Sequence, residues 1–70
     1  MVIFTNITFD NNWIYADVED KDYNLRGKVK VHRRNETLET TCTGESNIKR
    51  AVWYMVIDVN KGKIKKVEKE

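Results

Sequence analysis

The chain has 70 residues, a net charge of +2, a single cysteine (Cys42) and a single histidine (His32). A core built from so few residues rarely contributes more than about 3–5 kcal/mol, so we expect one domain, residues 1–70. One cysteine excludes an internal disulfide, and one histidine with no cysteine at ligand spacing predicts no metal site. A net charge of +2 is too small to indicate a nucleic-acid binder by itself.

The sequence also predicts a location. The first residues lack the basic stretch followed by an apolar stretch that makes a secretory signal. No apolar run approaches the ~18 residues that a membrane span needs. A lone thiol is typical of a reducing compartment. We therefore expect a cytoplasmic protein with no membrane partner.

Two alternating stretches, residues 2–9 and 13–19, are predicted to form an antiparallel hairpin around a turn at Asn11 and Asn12. A two-residue turn fixes the register of the two strands. Phe4 then lies on the outward face, with the polar side chains. The predicted cross-strand pairs are Phe9 with Ile14, Ile7 with Ala16, and Thr5 with Val18.

Residues 25–33 are predicted to form a third strand, antiparallel to the second. The apolar pattern and the charges select the same register independently, because opposite charges across strands stabilise a sheet by a few tenths to about 1 kcal/mol. A weaker strand over residues 37–43 is predicted to follow. The predicted pairs are Ala16–Val29, Ile14–Val31, Glu19–Arg26, Asp17–Lys28, Tyr15–Lys30, Trp13–His32, Lys30–Glu39 and Val31–Leu38.

The most apolar stretch, residues 50–60, has an ambiguous pattern. Its β-branched and aromatic residues, apolar on both alternating faces, favour a strand over 52–59 inside a sheet. The spacing of its apolar residues from Ile48 to Val59 also fits an amphipathic helix. We favour the strand, followed by a lysine-rich strand over 63–69.

The preferred interpretation is therefore an all-β fold. It is a small antiparallel meander of five to six strands, curled into a barrel or roll, with one helical turn near residues 46–50. The alternative is an α+β fold in which a helix at residues 47–58 packs on a four-stranded antiparallel sheet.

No catalytic group of residues is recognised. Cys42 and His32 are predicted to point to opposite faces of the sheet, so they do not form a nucleophile–base pair. The acidic run at residues 17–22 lacks the central glycine and the twelfth-position acid of a calcium loop, and the three glycines have no phosphate-loop spacing. We expect no enzymatic activity, no cofactor, no metal and no small-molecule substrate.

The outward face of the first three strands is the candidate binding face. Trp13 and Tyr15 cannot join the inner core, so they need cover from the C-terminal segment, a second chain or a ligand. Cationic side chains surround these two rings on the neighbouring strand and turn. The candidate residues are Trp13, Tyr15, Lys28, Lys30, His32, Arg33 and Arg34.

Three interpretations of this face remain open. Trp, Tyr and Arg dominate protein-interface hot spots, so our first hypothesis is a non-enzymatic binding or assembly module that uses a protein–protein interface. Such a module is either homo-oligomeric or an inhibitor of a partner protein. Rings flanked by cations also bind single-stranded nucleic acids, which is the alternative function. In the third interpretation, residues 48–59 simply cover the face and make it a second core layer.

Overall fold

A computed structural model describes residues 1–35 and 37–64, and of Glu45 only the backbone. Four strands are followed by one helix in the described residues. The sheet is open, every strand is antiparallel to its neighbours, and the strands lie in the order β1-β2-β3-β4. The fold is thus the α+β alternative. The elements are β1 (Val2–Phe9), β2 (Trp13–Asp20), β3 (Leu25–His32), β4 (Leu38–Thr40) and α1 (Glu45–Asn60).

The preferred prediction of an all-β barrel or roll with five to six strands is wrong, because residues 52–59 belong to α1. The predicted turn at 46–50 is the first part of this helix. Valine and isoleucine lower helix propensity by only about 0.7 kcal/mol or less each. Burying one such side chain stabilises by roughly 1.5–3 kcal/mol, so packing against the sheet outweighs propensity. The buried side chains of α1 are Ile48, Val52, Met55, Val56 and Val59.

A glycine lies where the chain turns from the sheet into the helix. Gly44 has a φ of 76° in the left-handed region, and its carbonyl accepts a hydrogen bond from the Asn47 N–H at 2.8 Å. A side chain at this position would also approach Leu25 Cδ1. Among the described side chains, none caps the start of the helix with a hydrogen bond.

The β1–β2 hairpin contains a bulge that the sequence pattern does not reveal. The predicted pair Phe9–Ile14 is confirmed, but Val18 pairs with Phe4 rather than with Thr5. The register shifts between Thr5 and Thr8, where Asn6 has a φ of 53°. The extra residue reverses the alternation, so Phe4 packs against the core rather than on the outward face.

The predicted registers of the other two strand pairs are confirmed. All six predicted β2–β3 pairs are present, and β3 meets β4 through Lys30–Glu39 and Val31–Leu38. The fourth strand is shorter than predicted and covers only Leu38–Thr40. In the strand predicted over 63–69, Lys63 and Ile64 are not in a strand, and the other residues lie outside the described part of the chain.

The core lies between α1 and one face of the sheet. The sheet contributes Ile14, Ala16, Val18, Val29 and Val31, which are all buried. Partly buried side chains from β1 and the ends of the sheet complete it. Because α1 covers this face, the opposite face of the sheet carries the outward side chains of β2 and β3. Among the described residues, no helix has the length and apolar character needed to cross a membrane.

Candidate functional site

The outer face of the sheet, opposite α1, carries the aromatic pair predicted from the sequence. Tyr15 is 40% exposed and Trp13 is half-buried. The helical segment that was a candidate to cover them packs against the other face, through buried residues such as Val52 and Val56. The interpretation that residues 48–59 cover Trp13 and Tyr15 is therefore wrong.

Trp13 is held in place by two neighbours from β3. The ring of His32 meets it edge-on, with centroids 4.8 Å apart and an interplanar angle of 79°. The ammonium of Lys30 lies 4.4 Å from the centroid of Trp13 and 5.9 Å from that of Tyr15. At an exposed site, such a cation–π contact contributes about 0.5–1 kcal/mol. Lys30 therefore joins the two rings into one ordered cluster.

His32 also organises the turn that follows β3. Its Nδ1 accepts backbone hydrogen bonds from Arg34 at 3.1 Å and from Asn35 at 3.3 Å. In a neutral imidazole one nitrogen accepts and the other carries the proton, so the proton is assigned to Nε2. The ring thus supports both Trp13 and the turn.

The two predicted arginines are engaged in holding the molecule together. Arg33 donates from Nε to Asn60 Oδ1 at 3.0 Å and from Nη1 to the Asp10 carbonyl at 2.7 Å. Its guanidinium also lies 5.2 Å from the centroid of the Phe9 ring. Arg34 donates from Nη1 to the Asn11 carbonyl at 2.7 Å. These donors tie the β3–β4 turn to the β1–β2 turn and to the end of α1.

A trough of about 600 Å³ crosses the outer face of the sheet. Among the residues that line it, Asp17 accepts hydrogen bonds at its carboxylate from Asn6 Nδ2 at 2.8 Å and from Lys28 Nζ at 3.1 Å. Residues from all four strands line the trough, so its shape depends on the whole sheet. The lining residues include Asn6, Thr8, Tyr15, Asp17, Lys28, Lys30, Glu39 and, just after β4, Thr41.

The charges of the outer face are balanced. Arg26 pairs with Glu19 at 3.2 Å, and Lys28 pairs with Asp17 at 3.1 Å. Lys30 lies opposite Glu39 in the β3–β4 ladder. Arg26 and Lys28 are thus each paired with an acid across the strands, while the ammonium of Lys30 lies over the rings of Trp13 and Tyr15.

A second surface was missed by the sequence analysis. On the outer side of α1, Trp53 is 42% exposed, Tyr54 is 56% exposed and Ile57 is 37% exposed. The guanidinium of Arg50 lies 5.9 Å from the centroid of the Tyr54 ring. We call these four residues the helix stripe. In a helix that buries Val52 and Val56, these four residues lie on the exposed side. The strand interpretation instead placed this segment in the interior of a sheet, so the exposed surface was not recognised.

In the described part of the chain, no group of three or more His, Cys, Asp or Glu residues is placed to hold a metal ion. Cys42 is buried, and its thiol donates to the Thr43 carbonyl at 3.2 Å.

No protein-family model, no curated protein and no solved structure matches this chain. The two surfaces described above are therefore the basis on which a function is proposed.

Proposed function

We propose that this protein is a non-enzymatic binding module that acts through a protein–protein interface on the outer face of its sheet. The observation that carries the proposal is the ordered cluster of Trp13, Tyr15 and Lys30, which lies beside the trough and away from α1. Because Cys42 is a free thiol, we also propose a cytoplasmic location.

The cluster is suited to anchor a partner because it is already ordered. Immobilising a flexible side chain at an interface costs about 0.5–1.5 kcal/mol, and aromatic rings have few torsions to immobilise. His32 and Lys30 already restrain Trp13 in the free protein. Little further ordering is needed on binding, so most of the contact energy is available for affinity.

The charge balance favours a protein partner over a nucleic acid. A nucleic-acid site gains affinity by releasing counterions to unpaired Lys and Arg side chains. Lys28 is paired with Asp17, and Lys30 lies over the rings on which a base would stack. A protein loop with charges of both signs would instead match the alternating acids and bases of the trough.

The test compares two exposed tyrosines in the full-length chain. Partners are captured with the wild-type protein, and each captured protein is purified and titrated against Tyr15→Ala and against the matched control Tyr23→Ala. Tyr23 is 65% exposed in the β2–β3 turn, away from the trough. We expect the Tyr15 variant to bind at least about tenfold more weakly and the control to bind normally. Equal affinities for the two variants would contradict the proposal.

Self-association is the version of this proposal in which the partner is a second copy. Sedimentation velocity over a concentration series distinguishes it from a heterotypic interface. A dimer that forms with concentration in the wild type and in Tyr23→Ala, but not in Tyr15→Ala, would assign the outer face to a homo-oligomer. A monomer throughout would leave a different protein as the partner.

Single-stranded nucleic acid is the second candidate, favoured by the exposed ring of Tyr15 beside Lys28 and Lys30. It predicts salt-sensitive quenching of Trp13 fluorescence by oligonucleotides. A Trp53→Phe background leaves Trp13 as the only tryptophan, since the chain has two. Strong quenching at low salt that disappears in Lys30→Met would favour this candidate over the protein interface.

A further inference from the structure

We infer that the helix stripe is a second docking surface, which binds a protein whose apolar patch is bordered by acidic side chains. The stripe consists of Arg50, Trp53, Tyr54 and Ile57 and lies on the side of α1 that faces away from the sheet. It is distinct from the outer sheet face and does not depend on the function proposed for that face.

Three large apolar side chains on the outer side of one helix need an explanation. Single exposed apolar residues are normal, but a group of them on one face marks an interaction site. Trp53, Tyr54 and Ile57 lie within five consecutive positions, and α1 already buries a full apolar face against the sheet. Since the core does not need these three, their exposure is consistent with a partner. Trp, Tyr and Arg are also the residues most enriched in interface hot spots.

The charges around the stripe define the partner. Lys49, Arg50 and Lys61 are exposed, while Asp58 is the only acid among the described side chains of α1 and is half-buried. An isologous dimer through this face would bring the cations of two copies together, which costs energy. Acidic residues at the border of a partner's apolar patch would instead pair with these cations. The face therefore fits an acidic partner better than a second copy.

The two surfaces lie on opposite sides of the molecule. The helix packs on the inner face of the sheet, so the stripe and the trough face away from each other. A partner on one side does not obstruct the other side.

The test uses two synthetic amphipathic peptides as probes. Both are helices of about 20 residues with the same Leu and Phe stripe, bordered by Glu in one and by Lys in the other, and both carry a fluorescent label. Anisotropy is measured with the full-length chain. We expect the Glu peptide to bind at least about tenfold more tightly than the Lys peptide, and high salt to reduce the difference.

Variants locate the binding. Ile57→Ser and Trp53→Ser should each weaken binding of the Glu peptide about tenfold while the chain stays folded, because neither residue belongs to the buried core. The double variant Lys49→Glu, Arg50→Glu should reverse the preference in favour of the Lys peptide. Tyr15→Ala should bind both peptides like the wild type, which separates this inference from the function proposed for the sheet face.

Several outcomes would overturn the inference. Equal affinity for the two peptides, or unchanged binding by Ile57→Ser, would show that the stripe does not select an acidic partner. A concentration-dependent dimer that Ile57→Ser abolishes would assign the stripe to a second copy. Tighter binding to phosphatidylserine vesicles or to an oligonucleotide, lost in the same variant, would assign it to a membrane surface or to a nucleic acid.

Discussion

Arg33 and Asn60 bond to each other in both directions. The Arg33 Nε donates to Asn60 Oδ1 at 3.0 Å, and the Asn60 Nδ2 donates to the Arg33 carbonyl at 3.0 Å. The pair joins the turn after β3 to the last residue of α1, which are 27 positions apart in sequence. This reciprocal contact fixes the end of the helix against the sheet.

Removing either partner should therefore destabilise the fold. We expect Arg33→Ala or Asn60→Ala to lower the free energy of unfolding by about 0.5–1.5 kcal/mol, because each removes hydrogen bonds whose remaining partner groups are exposed and can bond to water. The double variant should lose less than the sum of the two single losses. Urea denaturation measures all three. Arg26→Ala is the control, since its exposed ion pair with Glu19 is worth about 0–1 kcal/mol. If the losses at Arg33 and Asn60 are additive in the double variant, the two residues are not coupled.

Gly27 has no room for a side chain. A Cβ there would lie 2.6 Å from the backbone nitrogen of Cys42, so the chain after β4 passes directly over this position. We expect Gly27→Ala to destabilise the protein by about 1–3 kcal/mol, because the backbone of Cys42 would have to move. The matched control is Gly62→Ala, where a Cβ meets nothing within 4 Å and the expected cost of about 1–2 kcal/mol comes from its φ of +77° alone. Thermal melts of both variants provide the measurement. An unchanged melting temperature in Gly27→Ala would contradict the close approach of Cys42.

The bulge in β1 depends on the left-handed conformation of Asn6. Asn6→Ala should destabilise by about 1–2 kcal/mol, because alanine is strained at a φ of 53° and the hydrogen bond to Asp17 is lost. Asn6→Gly accepts the same φ and loses only the hydrogen bond, so its loss should be smaller. Chemical denaturation of the pair separates the two effects. An alanine variant as stable as the glycine variant would argue against the bulge.

Adjacent residues of α1 distinguish a helix from the strand that the sequence favours. Val56 is 3% exposed, whereas Ile57 is on the outer side. Val56→Lys should prevent folding or cost more than about 3 kcal/mol, because it places an unpaired charge in the core. Ile57→Lys should change stability by no more than about 0.5 kcal/mol. Far-UV circular dichroism during melting provides the measurement, and equally large losses in the two variants would favour a strand buried on both faces.

The sheet was predictable wherever two signals agreed. Along β2 and β3 the apolar pattern and pairs such as Asp17–Lys28 select one register, and the structure has that register. The residues of β1 carry no charges that could confirm a register. Phe4 and Ile7 can both face the core only if one residue between them is bulged out of the strand. Local alternation alone does not indicate such a bulge.

The helix was misassigned because local preference and tertiary burial disagree there. Val52, Val56 and Val59 prefer strands, but they also lie on one helical face, and the sheet needs an apolar cover on its inner side. Trp13 and Tyr15 were placed on the outer face because their strand was predicted in the right register. The role of Arg33 was missed because Asn60, its partner, becomes a neighbour only when the helix is in place.

The order of the strands in the sheet has a consequence for how the chain reaches this fold. Each strand pairs with the one before it in sequence, so only short loops close while the sheet forms. The chain also contains no proline, and hence no slow prolyl isomerisation delays it. Refolding should proceed in a single rapid kinetic phase, in which the sheet assembles hairpin by hairpin and the helix docks onto it.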